Sequence, residues 1–314
     1  MCYIRHSACN MDMRQKELSA SDWLEISKQA VDNGMVFLLL TGGEVFLRPD
    51  FFDIYEPLTR MGLILTLFTN GSLITETVAK RLSQSPPSRT EITLYGATAG
   101  TYEAVTGVPG SYAKCCAGIE YLAANRLPLG LKTTLTRQNI SELEAMKQMA
   151  RNWGLPFSAS WLLSKRADGA DSEVCDCRLP AVDAVALEAS DSASAHGWTE
   201  TASKESSAGN TGIFFCSAGK ASFIINPAGE MNVCADLPLP AARPLNTGFP
   251  SAWQKVQRYI DGAPARAYAC MHCDSRGYCA LCPAWSLLET NTLTEPVPYM
   301  CEIAVKRKEV YESP

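Results

Sequence analysis

Between Ser19 and about Ser160 the apolar positions alternate between a helical period and short continuous runs. Such alternation predicts a parallel sheet whose strands are joined by crossover helices. Ser19 and Asp22 have the spacing of a helix cap, Trp23, Ile26, Ala30 and Val31 then share one helical face, and Gly34 ends the helix. The run MVFLLL (35–40) reads as a strand buried on both faces, and TGGE follows it directly. The unit then repeats. Helical patterns at 51–60, 76–83, 112–125 and 141–152 lead in turn to LILTLF (63–68), EITLY (91–95), LGLKTTLT (129–136) and LPFSAS (155–160). Five strands are expected, and no strand pattern precedes the first helix, because only MCYIRHSACNMDMRQKEL stands before it.

The stretch 186–210 is rich in Ser, Ala and Gly without a clear period, so it reads as a linker or loop. From Thr211 a second module begins. SFIINPAGEMNV predicts a hairpin turning at Pro227-Ala228-Gly229, followed by a helix near 251–260 and then a cysteine-dense segment.

Composition narrows the function. A length of 314 residues with 46% hydrophobic content suits one large core plus a smaller module. The formal charge is −5 and the basic residues are scattered, which argues against nucleic-acid or anionic-membrane partners. No apolar run reaches the length of a spanning helix and no signal peptide is visible, so a cytoplasmic location is expected. Thirteen cysteines are many for a reducing compartment and point to metal or redox chemistry. Seven of them fall in the last hundred residues.

In that segment CMHCDSRGYCALC (270–282) holds two Cys-x-x-Cys pairs, a spacing that lets thiolates converge on a metal. Zinc would use those four cysteines and leave Cys216, Cys234 and Cys301 idle. A two-cluster reading employs all seven. Twelve residues separate Cys216 from Gly229, and four separate Gly229 from Cys234. These intervals resemble the SPASM extension of radical S-adenosylmethionine (radical SAM) enzymes, which carries auxiliary 4Fe-4S clusters. One interval departs: two residues, rather than three, separate Cys279 from Cys282. The resemblance implies that Cys270, Cys273, Cys279 and Cys301 ligate one auxiliary cluster, and Cys216, Cys234 and Cys282 the other. A fourth ligand for the second is open between Cys175, Cys177 and an exogenous or vacant position.

The first 160 residues resemble the radical SAM core. Gly42, Gly43 and Glu44 are similar to the motif that holds the amino group of the cofactor's methionine moiety. Asn70 in the TNG turn, Thr93 at the next strand end and Asn139 in TTLTRQN are further cofactor contacts implied by the resemblance. TYEAVTGVPGSYAKCCAGIEYL, after Gly96, resembles the corresponding segment of peptide-modifying members. The family's defining motif is Cys-x3-Cys-x2-Cys beside an aromatic. MCY resembles its end, with Cys2 as the third site-cluster ligand and Tyr3 beside adenine, which implies a chain lacking the motif's first two cysteines.

The expected fold is therefore α/β: a partial (β/α)6 radical SAM barrel without its first strand (1–160), a linker or loop region (161–210) and a small cysteine-rich α+β SPASM domain (211–314). The resemblance implies one site 4Fe-4S cluster, incomplete here, two auxiliary clusters, and S-adenosyl-L-methionine. It implies reductive cleavage of that cofactor to a deoxyadenosyl radical that abstracts hydrogen from a peptide or protein substrate, with flavodoxin or ferredoxin as electron donor. With Cys2 alone at the site cluster, the chain as it stands is expected to be inactive. Two alternatives stand beside this: a zinc-stabilised, non-catalytic binding protein, and a pseudoenzyme retaining only auxiliary clusters.

Overall fold

The computed structural model describes residues 16–167, 174–191, 197–198, 213–214, 216–263, 270 and 272–312, and of Cys175 the backbone alone. Cys2, Tyr3 and Cys9 lie outside the described residues. Helix α1 (Ala20–Asp32) opens with the expected capping box: the Ser19 hydroxyl accepts from the Asp22 N–H while the Asp22 carboxylate accepts from the Ser19 N–H. Then follow β1 (Phe37–Leu40), α2 (Phe51–Thr59), β2 (Ile64–Thr69), α3 (Glu76–Gln84), β3 (Arg89–Thr93), α4 (Ala99–Thr106), α5 (Ser111–Ala124), β4 (Leu129–Thr134), α6 (Leu143–Asn152) and β5 (Phe157–Ser160). The five strands pair in chain order, all parallel, as the alternating pattern demands.

Register fixes the two faces. Leu67 pairs with Thr90 and Thr90 with Leu129, while Thr69 pairs with Ile92 and Ile92 with Leu131, so these side chains share one face. That face is sealed by Ile54, Tyr55 and Leu58 of α2, Ala79 and Leu82 of α3, Ile119 and Leu122 of α5, and Met146 of α6. The opposite face carries Phe37, Leu39, Ile64, Phe68, Glu91, Thr93 and Lys132. It is largely bare, and the expectation that 35–40 is buried on both faces is corrected: Phe37 is 73% exposed and Leu39 44%. Among the described residues, helices cover only the side of Leu38 and Leu40, and β1 pairs with β2 alone.

The stretch expected to start the linker is partly helical. Helices α7 (Val174–Cys177) and α8 (Ala181–Ser190) follow the sheet, and Leu179, Ala181, Ala184 and Val185 join its core. The hairpin forms as predicted, with β6 (Ile224–Ile225) antiparallel to β7 (Met231–Asn232), and Gly229 adopts φ +79° at the turn. Helices α9 (Pro244–Thr247), α10 (Phe249–Asp261), α11 (Pro283–Thr290) and α12 (Pro298–Tyr311) complete the described elements. Met231, Val233, Phe249, Val256 and Ile260 form a second core that also takes Ala30 from α1.

Two buried ion pairs tie the C-terminal helices back to α8 and its approach. Arg307 meets Glu188 with two bonds of 2.8 and 2.7 Å and donates to the Tyr278 carbonyl at 3.1 Å. Arg178 meets Glu289 in the same two-pronged way. Among the described residues no helix is long and apolar enough to cross a membrane.

Helix α5 packs so closely on the turn after β2 that a methyl group at Gly118 would stand 2.2 Å from the Gly71 carbonyl oxygen. Backbone cannot step aside as a side-chain tip can. Gly118→Ala is therefore expected to lower stability by about 3 kcal/mol, read as an earlier midpoint in urea unfolding.

Candidate active site and cysteine centres

Parallel strands with helices on one face bring every strand's C-terminal end to a single edge, where ligand sites of such sheets form. TGGE, TNG and Thr93 all sit on that edge. The link between the first two is Glu44. Its carboxylate caps the short 3-10 turn Val45–Leu47 through the Phe46 N–H, at 3.3 Å. Across the sheet, it accepts the Thr69 hydroxyl and the Asn70 N–H, each at 2.7 Å. Glu44 is buried, and desolvation pushes its pKa above the ordinary 4.5 despite the three bonds that lower it. Gly42 and Gly43 are exposed beside it, and an added Cβ at either would meet nothing within 4 Å. Open backbone next to a buried carboxylate fits an amino-acid ligand lying along the loop.

Asn70 is half-buried, and its side-chain oxygen accepts from the Ser72 N–H at 2.8 Å, which fixes the turn. Thr93 ends β3 on the bare face, half-buried, directly across from Lys132. Asn139 is placed differently from a surface contact. It is fully buried, and its amide donates to the Tyr95 and Thr134 carbonyls at 3.1 Å each while its oxygen accepts from the Thr136 N–H at 2.8 Å. These bonds fasten the ends of β3 and β4 together. Glu142 adds a second clasp, accepting from Ala97 N–H at 2.6 Å and from the Thr98 and Thr101 hydroxyls at 2.8 and 2.7 Å.

Sequence reasoning missed a charged group on the bare face. Glu91 pairs with Arg89 at 2.7 Å and Lys132 at 3.5 Å, and the Lys132 ammonium stands 2.9 Å from the centre of the Phe68 ring. Burial lowers the Lys132 pKa, with Glu91 opposing it. A signal was present: Glu91 and Lys132 are charges at alternate positions of otherwise apolar or small-residue strands.

Four of the C-terminal cysteines, Cys270, Cys273, Cys279 and Cys301, line one pocket. Burial raises the Cys301 pKa, and the thiols of Cys279, Cys270 and Cys273 push it further. The pocket is walled by Leu281, Leu293 and Met300. Ser286 lines it too, and its buried hydroxyl has no partner. Outside the pocket, burial pushes the Cys234 thiol up to about 11, and Asp236 and Cys282 push in the same direction, while Cys282 is raised by burial, Asp236 and Cys216. Backbone N–H groups of Asp236 and Leu237 point at the Cys234 sulfur, and those of Ala284 and Trp285, in the first turn of α11, point at Cys282. Such donors favour thiolates over thiols.

Among the described residues no three His, Cys, Asp or Glu groups stand close enough to hold one ion. Four thiolates on one zinc, at ~2.3 Å each, would lie about 3.8 Å apart. The thiols of Cys270, Cys273, Cys279 and Cys301 line a pocket with apolar walls and an unpartnered hydroxyl, while Cys234 and Cys282 receive backbone N–H groups, and thiol donors so placed fit iron–sulfur ligation. Cys177 lies on α7, where its carbonyl accepts from the Arg137 N–H, and the Cys175 side chain is outside the described residues. Cys115 is buried beside Tyr102 and its pKa is pushed up to about 12 by desolvation, as befits a core thiol.

Residues 1–150 match the radical SAM superfamily. The chain carries a radical SAM domain. That family uses a 4Fe-4S cluster together with S-adenosylmethionine. An AdoMet-dependent heme synthase of Methanosarcina barkeri is 31% identical over 138 residues, covering 44% of this chain and 40% of that protein. The mycofactocin maturase MftC of Mycobacterium ulcerans is 27% identical over 276 residues, 84% of this chain and 74% of its own length. Streptococcus suis SuiB, solved bound to its precursor peptide SuiA, has the same fold, with a TM-score of 0.68 at 15% identity over 96% of this chain and 72% of that one. The fold likeness thus extends beyond the radical SAM domain into the cysteine-rich half.

Replacing Glu44 tests the edge of this domain. The folded state holds the Glu44 proton more tightly than the unfolded chain, so stability falls as pH rises above 4.5 through the raised value and is level beyond it. Glu44→Gln should abolish that slope. It should also cost about 1–3 kcal/mol, because its amide then faces the Asn70 N–H donor to donor. Urea unfolding as a function of pH reads both effects.

Proposed function

We propose that this protein is a peptide-modifying radical SAM enzyme whose C-terminal half houses two auxiliary iron–sulfur clusters, one on Cys270, Cys273, Cys279 and Cys301 and one on Cys216, Cys234 and Cys282. The observation that carries it is the pocket lined by Cys270, Cys273, Cys279 and Cys301 in the half that follows the radical SAM match over residues 1–150. When bound, the reduced site cluster supplies the electron that cleaves the sulfonium of S-adenosylmethionine to a hydrogen-abstracting deoxyadenosyl radical. By the resemblance, Cys2 would be one of its ligands and Tyr3 the aromatic beside adenine. Gly42 and Gly43 offer unobstructed backbone to the methionine moiety. Glu44 meets the ammonium with charge and, through Asn70, holds the neighbouring turn in place. Thr93 offers its hydroxyl to the ribose, and Asn139 sets the strand ends that surround it. The bare sheet face, with Lys132 and Glu91 at its centre, receives the substrate.

The likeness to a maturase along most of the chain and the segment after Gly96 support a peptide substrate, with an electron donor of the flavodoxin or ferredoxin kind. A second reading, favoured by the likeness to AdoMet-dependent heme synthases, which for one of them runs along 90% of the chain at 24% identity, is a tetrapyrrole on the same face. A porphyrin titration separates the two: a shifted porphyrin absorbance band supports the tetrapyrrole.

Metal content is the direct test of the cysteine assignments. Protein reconstituted without oxygen should be brown and bind about eight irons with equal sulfide, four to each auxiliary cluster. Colourless protein with one zinc and no sulfide would sink this function in favour of a zinc-stabilised binding protein.

A further inference from the structure

Two of the three charges that meet on the bare sheet face cancel, and one does not. The Arg89 guanidinium reaches Oε1 of Glu91 at 2.7 Å, whereas the Lys132 ammonium stands 3.5 Å from Oε2 of the same carboxylate. One carboxylate serves two cations, and the nearer of them neutralises it. Lys132 carries the charge left over. Its side chain leaves β4 and crosses β3, because its ammonium stands 2.9 Å from the centre of the Phe68 ring on β2. We propose that Lys132 binds a carboxylate of the substrate, so that the peptide received by this face presents an acidic group to it. The inference deepens the peptide-modifying reading above and rests on it.

An anion at Lys132 completes a set of two positive and two negative charges. The lysine side chain is only 26% exposed, and burial lowers its pKa, so a further anion offsets the cost of keeping it charged. The surroundings suit a carboxylate on a peptide. In register, Lys132 lies between Thr93 of β3 and Ser158 of β5, which places a hydroxyl-bearing residue on either side of it. Toward β1 the same face is apolar, with Phe37, Leu39 and Ile64 exposed. Hydroxyls at one end, an unbalanced cation in the middle and apolar surface at the other end match an acidic residue with apolar neighbours. The cofactor's own carboxylate is the competing anion. Glu44, however, holds Thr69, whose side chain turns to the helix-covered face, whereas Lys132 stands on the opposite one. That arrangement favours the substrate over the methionine end of the cofactor.

The test uses the full chain labelled with ¹³C-lysine, in which the ε-carbon resonance missing from Lys132→Arg is that of Lys132. The probes are acetyl-Leu-Glu-Leu-amide and its Gln counterpart. The Glu peptide should move the Lys132 resonance saturably and raise the pKa read from it. The Gln peptide should bind at least about tenfold more weakly, since a bond between two charged groups is lost. By calorimetry, K132R should keep the preference for Glu and K132M should bind both peptides equally. The comparison of peptides on the natural protein decides the matter even if K132M does not fold. Equal binding of the two peptides, or no binding of either, overturns an acidic peptide at Lys132, as does a resonance that answers only to S-adenosylhomocysteine, which assigns the lysine to the cofactor. A resonance moved by a carboxylated porphyrin and by neither peptide overturns the peptide reading instead and leaves Lys132 as the site of a substrate carboxylate.

Discussion

Placing all crossover helices on one face of a parallel sheet has two unavoidable results. Every strand ends at the same edge, and among the described residues the other face carries no helical cover. The buried face is a conventional aliphatic core of Leu65, Leu67, Ile92, Leu94 and Leu131. Loop chemistry then collects where geometry sends it. Glu44 and Asn70 belong to successive units and meet only because β1 and β2 run side by side in register. A slip of one residue in that pairing would turn Thr69 away from Glu44.

The edge is held by carboxylates and amides rather than by packing. Glu44 binds the turn after β2, Asn139 binds the ends of β3 and β4, and Glu142 binds the segment that leads into α4. Each satisfies backbone donors or acceptors that would otherwise be buried without partners. Gly118 serves the same edge sterically, letting α5 press on Gly71. Exposed glycines at 42 and 43, next to this rigid frame, leave room for a ligand without loosening what surrounds it.

The cysteine-rich half is attached by a different device. Arg307 and Arg178, both almost fully buried, pair with Glu188 and Glu289 and at the same time bind carbonyls of Tyr278 and Leu163. A guanidinium that satisfies a carboxylate and a carbonyl together offsets its own desolvation. Tyr278 lies between Cys273 and Cys279, so Arg307 anchors the very loop that carries two of the pocket's thiols. The radical SAM domain and the cysteine centres are thereby held in one arrangement through the region between them, part of which was expected to be a linker and instead contributes α8 to the core.

Much of this was legible along the chain. The alternation of periods gave five parallel strands, Ser19 and Asp22 gave the first cap, and Gly229 gave the hairpin turn. These features depend on neighbours within a few residues or on spacing alone, which a sequence displays openly. What the sequence concealed depends on contacts across 25 to 49 residues: the grip of Glu44 on Thr69, and the approach of Asp236 to Trp285. The exposure of Phe37 was hidden for a related reason, since a run of apolar residues reports a strand's preference and not how many of its sides are covered. Local pattern determined which elements form and which residue types can bind metal and cofactor; only the tertiary register decided which of those side chains face one another, because that is set by packing between segments that the chain itself keeps apart.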